Sequence, residues 1–176
     1  NFGPDVSVIA VNAAINHLRR TDYWFTLDPS HANQAIMRKP IRGVTYYAAL
    51  PDSFTSVPGH VKVLQRVAGA GHGRYMTKAG LSPDKRAIHT GNSAWGALQL
   101  AVHLGATRVA LFGVDGAGAY HYGGKPRELG MMPALFASAV EELGTRKISV
   151  INGSPDSEVR SFTLLTPEEA MKWINV

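Results

Sequence analysis

Apolar positions along this chain fall into two patterns: short runs that are almost unbroken, and longer segments where they recur every three or four residues. Residues 88–116 show both in succession. Ala94, Ala97, Leu98, Ala101 and Val102 lie at helical spacing, and 109–114 is nearly continuously apolar. The first pattern predicts a helix and the second a strand covered on both faces. Asn92 or Ser93 suits the helix N-cap, and Gly105 suits a left-handed closing residue.

Further short apolar runs predict strands at 6–11, 22–27, 43–49, 60–65 and 147–151. Asp28-Pro29-Ser30-His31 ends the second of these, because proline cannot continue a sheet. A short helix is expected at 13–20. Met132, Leu135, Phe136, Ala139, Val140 and Leu143 predict another, stopped by Gly144. Thr166-Pro167-Glu168-Glu169 has the form of a capping box with proline at the first helical position, opening a last helix that runs to Ile174. Residues 67–87 and 116–130 are rich in glycine and read as long excursions. Strands that alternate with helices predict an α/β protein with a mostly parallel sheet and helices on both faces. No repeat and no linker divides the sequence, so one domain over 1–176 is expected.

Composition narrows the picture modestly. The 176 residues are 45% hydrophobic and 18% charged, ordinary for a globular chain. No apolar run approaches the roughly 18 residues of a membrane span, so no membrane partner is expected. Zero cysteines exclude disulfides and thiolate metal sites, and fit a cytoplasmic protein. The net charge of +5 favours anionic partners. Its lysines and arginines are scattered in pairs, such as Arg19-Arg20 and Lys85-Arg86, so nucleic acid is the weaker reading and a solvated basic surface the plainer one.

The candidate chemistry sits where the predicted strands end. Asn12, Asp28, Asp115 and Asn152 each follow an apolar run, and parallel strands would line them along one crevice. Amides there can read a base or ribose, and a carboxylate can hold ribose hydroxyls or Mg²⁺. Asn and Asp also end strands in any fold, simply as turn formers. Thr90, Gly91, Asn92 and Ser93 form a turn into a helix N-terminus, where backbone N–H groups face an anion. Many ordinary helices begin this way. Among seven histidines, His121 stands in a glycine-rich stretch just after Asp115, where a general base would belong. His89 adjoins the phosphate-like turn, and His72 lies in the first glycine-rich excursion. No histidine pair has helical metal-ligand spacing, so no metal site is expected, and no nucleophile elbow is present, so a hydrolase nucleophile has no support.

Val8-Ile9-Ala10-Val11-Asn12-Ala13-Ala14-Ile15, Asp22-Tyr23-Trp24-Phe25-Thr26-Leu27-Asp28, Gly91-Asn92-Ser93-Ala94 and 104–115 together resemble a superfamily of Rossmann-like proteins. It includes the archaeal 6-hydroxymethylpterin diphosphokinase-like domain, the bacterial sialyltransferases of the Campylobacter type, and small phage-encoded proteins. The resemblance covers about two thirds of the chain and is nearest the phage type. It implies a three-layer Rossmann-like fold that binds a nucleotide or nucleotide-sugar and acts as a glycosyl- or diphosphotransferase. By resemblance to the sialyltransferases, Asn12 contacts the nucleotide, Gly91, Asn92 and Ser93 contact the donor, and His121 serves as base. By resemblance to the diphosphokinases, Mg²⁺ with a nucleotide is the donor, and Asp28 and Asp115 matter. These relatives begin with an additional strand and a Gly-x-Gly-Pro-Ser turn. The first strand here corresponds to their second, so an N-terminal strand and glycine turn are expected to be lacking from this sequence. That departure keeps two other readings open: a non-catalytic phage accessory or structural protein that retains the fold, and a nucleic-acid-binding protein. A homo-oligomer is compatible with each.

Overall fold

The computed structural model describes residues 2–70, 76–116 and 130–176, and the chain forms two compact units. The first unit, Ser7–Leu104, contains strands β1 (Ile9–Val11), β2 (Tyr23–Thr26), β3 (Thr45–Ala48), β4 (Lys62–Val63), β5 (Gln65–Val67) and β6 (Ala87–His89), with helices α1 (His31–Arg38) and α2 (Ser93–His103). Strands β1 to β4 pair in parallel in chain order, and β5 pairs in parallel with β6. Leu64 alone separates β4 from β5. One run of chain therefore pairs with β3 through Val63 and with β6 from Gln65 onward.

Alternation along β2 divides the core in two. Trp24 points to the side where Ile15, Met37 of α1 and Tyr46 pack, whereas Phe25 packs with Leu64, Ile88 and Leu100 of α2. Successive strand residues face opposite sides, so the sheet carries a helix on each face. Trp24 and Phe25 are both completely buried, each stabilising the fold by about 2–3 kcal/mol. Gly96 permits the closest approach of α2 to the strands: a Cβ there would lie 2.5 Å from Phe25 Cε1 and 3.3 Å from Ile88 Cγ2.

The second unit, Asn1–Val6 with Gly105–Val176, contains β7 (Arg108–Leu111), β8 (Ser149–Asn152) and β9 (Thr163–Leu164), again all parallel and in that order. Its helices are α3 (Met132–Ala137), α4 (Val140–Thr145) and α5 (Pro167–Ile174). The Arg108 guanidinium lies 4.2 Å from the Trp173 ring centroid and donates to the main-chain oxygens of Trp173 and Val176, holding α5 to β7. The expected α/β class with parallel strands and helices is what the chain adopts.

Several expected elements change in detail. The helix expected at 13–20 is a 3-10 turn, Asn12–Asn16, because no side chain caps it and His17 N–H already closes on Ala14 O. The strand expected at 109–114 ends at Leu111, and Phe112 beyond it is 39% exposed. The single helix expected over 132–143 breaks at Ser138, whose hydroxyl donates back to Leu135 O at 2.6 Å; such a bond offers the backbone an alternative to continuing the helix. Val140 consequently lies exposed rather than in the core. Helix α1 was not anticipated. Its buried positions are Asn33 and Met37, and a buried asparagine gives no apolar stripe to read.

Candidate functional site

Asn12 follows β1 directly, and Leu27 and Asp28 follow β2. Parallel pairing brings both strand ends to one edge of the first unit. Asn12 takes a left-handed conformation, φ 51°, which is uncommon outside glycine but tolerated by asparagine. Its carbonyl accepts from the Trp24 indole N–H at 2.8 Å. Its side-chain Oδ1 accepts from Thr26 Oγ1 at 2.7 Å and from Asn33 Nδ2 at 3.2 Å. Side chains from two elements, β2 and α1, thus fix one residue.

Asn33, buried on α1, ties this edge together. Its Nδ2 also lies 3.0 Å from Thr26 Oγ1 and 3.0 Å from Asp28 O. Ser30 caps α1 by accepting from Asn33 N–H, and Asp28 Oδ1 accepts from Ser30 N–H at 3.1 Å. Asp28 itself is exposed. The set Asn12, Thr26, Asp28 and Asn33 therefore forms a fixed polar network on the α1 side of the sheet, in which Thr26 and Asn33 are buried and Asp28 is exposed.

The α2 side has its own set. Asn92 is the N-cap of α2, accepting from Trp95 N–H at 2.8 Å, while its Nδ2 is buried with no hydrogen-bond partner among the described residues. Ser93 Oγ accepts from Leu27 N–H at 3.2 Å, which ties the helix start to the end of β2. Arg66 donates through Nη1 to the carbonyl of the same residue, Leu27, at 2.9 Å. Burial lowers the Arg66 pKa from its usual value, and the Asp28 carboxylate opposes that shift. No acidic residue lies in the first turn of α2.

Thr90 is placed differently from the expectation of an extra phosphate donor. It is buried, its hydroxyl donates to Met76 O, and its carbonyl accepts from Lys78 N–H at 2.9 Å. Gly91 is buried in the same turn. His89, only 7% exposed, has Nδ1 2.8 Å from Gly80 O and 3.2 Å from Ala79 O. Carbonyls only accept, so Nδ1 donates to them. Gln99, completely buried on α2, braces this strand end by accepting from Ser82 and His89 N–H and donating to His89 O.

Asp115 and Asn152 belong to the second unit. Asp115 is exposed, and its carbonyl accepts from Glu158 N–H. Asn152 is fully buried, its Nδ2 donating to Val114 O at 3.3 Å and Val159 O at 3.4 Å. The nitrogen joins main-chain groups rather than facing solvent, and Oδ1 is buried without a partner among the described residues. His121 lies outside the described residues, as does His72.

Comparison with protein-family models, curated proteins and solved structures finds no match in any of the three. Among the described residues no helix is long and apolar enough to cross a membrane, and no three His, Cys, Asp or Glu side chains gather to hold a metal ion.

Chemically, the edge of the first unit offers the Asn12 amide and the Asp28 carboxylate on one face. On the other it offers a cation beside an uncompensated helix N-terminus. Of the expected residues it brings together Asn12, Asp28, Asn92 and Ser93. Thr26, Asn33 and Arg66 were not foreseen: the first lies within an aromatic strand, the second on the unanticipated helix, and the third at the start of a segment without clear periodicity.

Proposed function

We propose that the edge of Ser7–Leu104 binds a nucleotide or nucleotide-sugar, as the donor for glycosyl or diphosphoryl transfer. The observation that carries this reading is the immobilised, left-handed Asn12, held at a strand end by Thr26, Asn33 and Trp24. Backbone strain of this kind costs on the order of 1 kcal/mol and collects at binding sites. With Oδ1 occupied, the Asn12 amide nitrogen is the group presented for recognition, suited to a carbonyl or ring nitrogen of a base or to a ribose hydroxyl.

The α2 N-terminus faces the phosphate in this reading, with the first-turn N–H groups as donors. Preorganised donors stabilise charge that develops on a departing phosphate, which is the largest contribution expected to transfer. His121 as base, and Asp115 as the residue that holds ribose or a metal, rest on the resemblance alone. Mg²⁺ fits poorly as a protein-held ion at this edge. Of the residues described there, only Asp28 offers a carboxylate, and its Oδ1 already accepts from Ser30. Any Mg²⁺ comes with the nucleotide.

Thermal-shift measurements with CMP, CMP- and UDP-sugars, and ATP with Mg²⁺ test the reading. One nucleotide class is expected to raise Tm in a concentration-dependent manner. No shift with any of them overturns it. Once a donor is found, His121→Ala should abolish turnover while leaving the shift in place.

A further inference from the structure

We propose that Arg66 is the residue by which this edge selects phosphorylated over unphosphorylated ligands; the inference rests on the nucleotide reading above. Register places the side chain. Arg66 pairs with Ile88, and Ile88 packs against α2, so Arg66 lies on the α2 side of the β5–β6 ladder. Leu64, two residues earlier, packs with the same cluster.

Hydrogen bonds then place the guanidinium at the edge. Leu27 receives Arg66 Nη1 on its carbonyl, and its N–H donates to Ser93 Oγ. The cation and the first residue of α2 therefore grip the two polar groups of one residue. A guanidinium has five N–H donors in a rigid fork that matches a phosphate face. Leu27 O takes one of them. The others remain for an oxyanion, and the single bond to Leu27 fixes the fork's direction before any ligand arrives.

The alternative is that Arg66 only straps down the end of β2. That role needs one hydrogen bond and no half-buried charge. Removing a cation from water is costly unless a partner compensates it. Asp28 supplies only a partial counter-charge, because its carboxylate is exposed. A phosphate would complete the compensation. It would also compete with Asp28, so the two residues should act on affinity with opposite signs.

The test is calorimetric titration of the full chain and its variants with CMP, ATP–Mg²⁺, the corresponding nucleosides, and pyrophosphate. Arg66→Gln is expected to weaken nucleotide binding roughly tenfold to a hundredfold, the worth of a charge-assisted hydrogen-bonded pair, and to leave nucleoside binding unchanged. Asp28→Asn is expected to tighten nucleotide binding. Unchanged nucleotide affinity in Arg66→Gln, with only a lowered Tm, overturns the proposal in favour of the strap. Should Arg66→Gln not fold, Arg66→Lys decides, since it keeps the charge but not the fork: a nucleotide-selective loss of several-fold supports the proposal, and equal affinity overturns it. Arg66-dependent pyrophosphate binding without any nucleotide binding leaves Arg66 in place and removes the nucleotide reading. Binding of neither removes both.

Discussion

Two asparagines show how a single residue can be shaped by more than stability. Asn12 holds φ at 51° while its side chain accepts two hydrogen bonds. Asn12→Gly relieves the backbone but loses those bonds; Asn12→Ala loses both advantages. Urea unfolding should place Gly about 1 kcal/mol above Ala, and the reverse order would mean that the backbone is not strained there. Asn92 caps α2 with its oxygen and leaves its buried nitrogen unpaired among the described residues. Asn92→Asp keeps the cap and places a negative charge at the positive helix end, but its second oxygen takes the buried position of Nδ2 as an unpaired anion. It should lower stability by about 1 kcal/mol or more and weaken anion binding. A gain in both would dissociate Asn92 from the ligand. Both asparagines were legible in the sequence, one closing an apolar run and the other opening a helical period. Thr26, Asn33 and Arg66 were not. Their importance comes from pairing between segments far apart in the chain, which no local pattern records.

At the level of elements, contact geometry overrides propensity. In an exposed helix Gly96→Ala would add about 1 kcal/mol of stability. Here the new methyl group would meet the Phe25 ring at 2.5 Å, so a net loss of about 1–3 kcal/mol is expected by thermal or urea unfolding. Helix α5 was read correctly from its opening residues. Thr166 and Glu169 form the reciprocal capping box, with Glu169 accepting from Thr166 N–H at 2.9 Å. That main-chain bond, followed by the bond from the Thr166 hydroxyl, lowers the Glu169 pKa below its ordinary 4.5. A group whose pKa is depressed by folding contributes stability above the unfolded value and loses it as pH falls through the folded one. The stability of α5 should therefore decline below about pH 4.5, and Glu169→Gln should flatten that decline in a pH series followed by circular dichroism. Helix α3–α4 was read as one element because Ser138 is silent in a hydrophobic period; only its bond to Leu135 O reveals the break.

Among the described residues, every strand pairing in both units is parallel, in keeping with apolar runs that alternate with helical segments in the sequence. The division into two units left no trace in composition, since no linker or charge change marks residue 104. If the ligand sits at the edge described, hydrogen exchange with bound nucleotide should slow in residues following β1 and β2 and at the start of α2. Protection confined to Gly105–Val176 would move the site elsewhere. The strand run Lys62–Val67 adds a consequence for how this chain can change over time. Its first half answers to β3 and its second to β6, with Leu64 as the single residue of changeover. Lys62, Val63 and Gln65 are exposed, so their identities can drift freely. Their number cannot. Deleting or inserting one residue at Leu64 would turn Arg66 to the opposite face of its ladder, so insertions and deletions here should be purged in any lineage that keeps the site, however far its letters diverge.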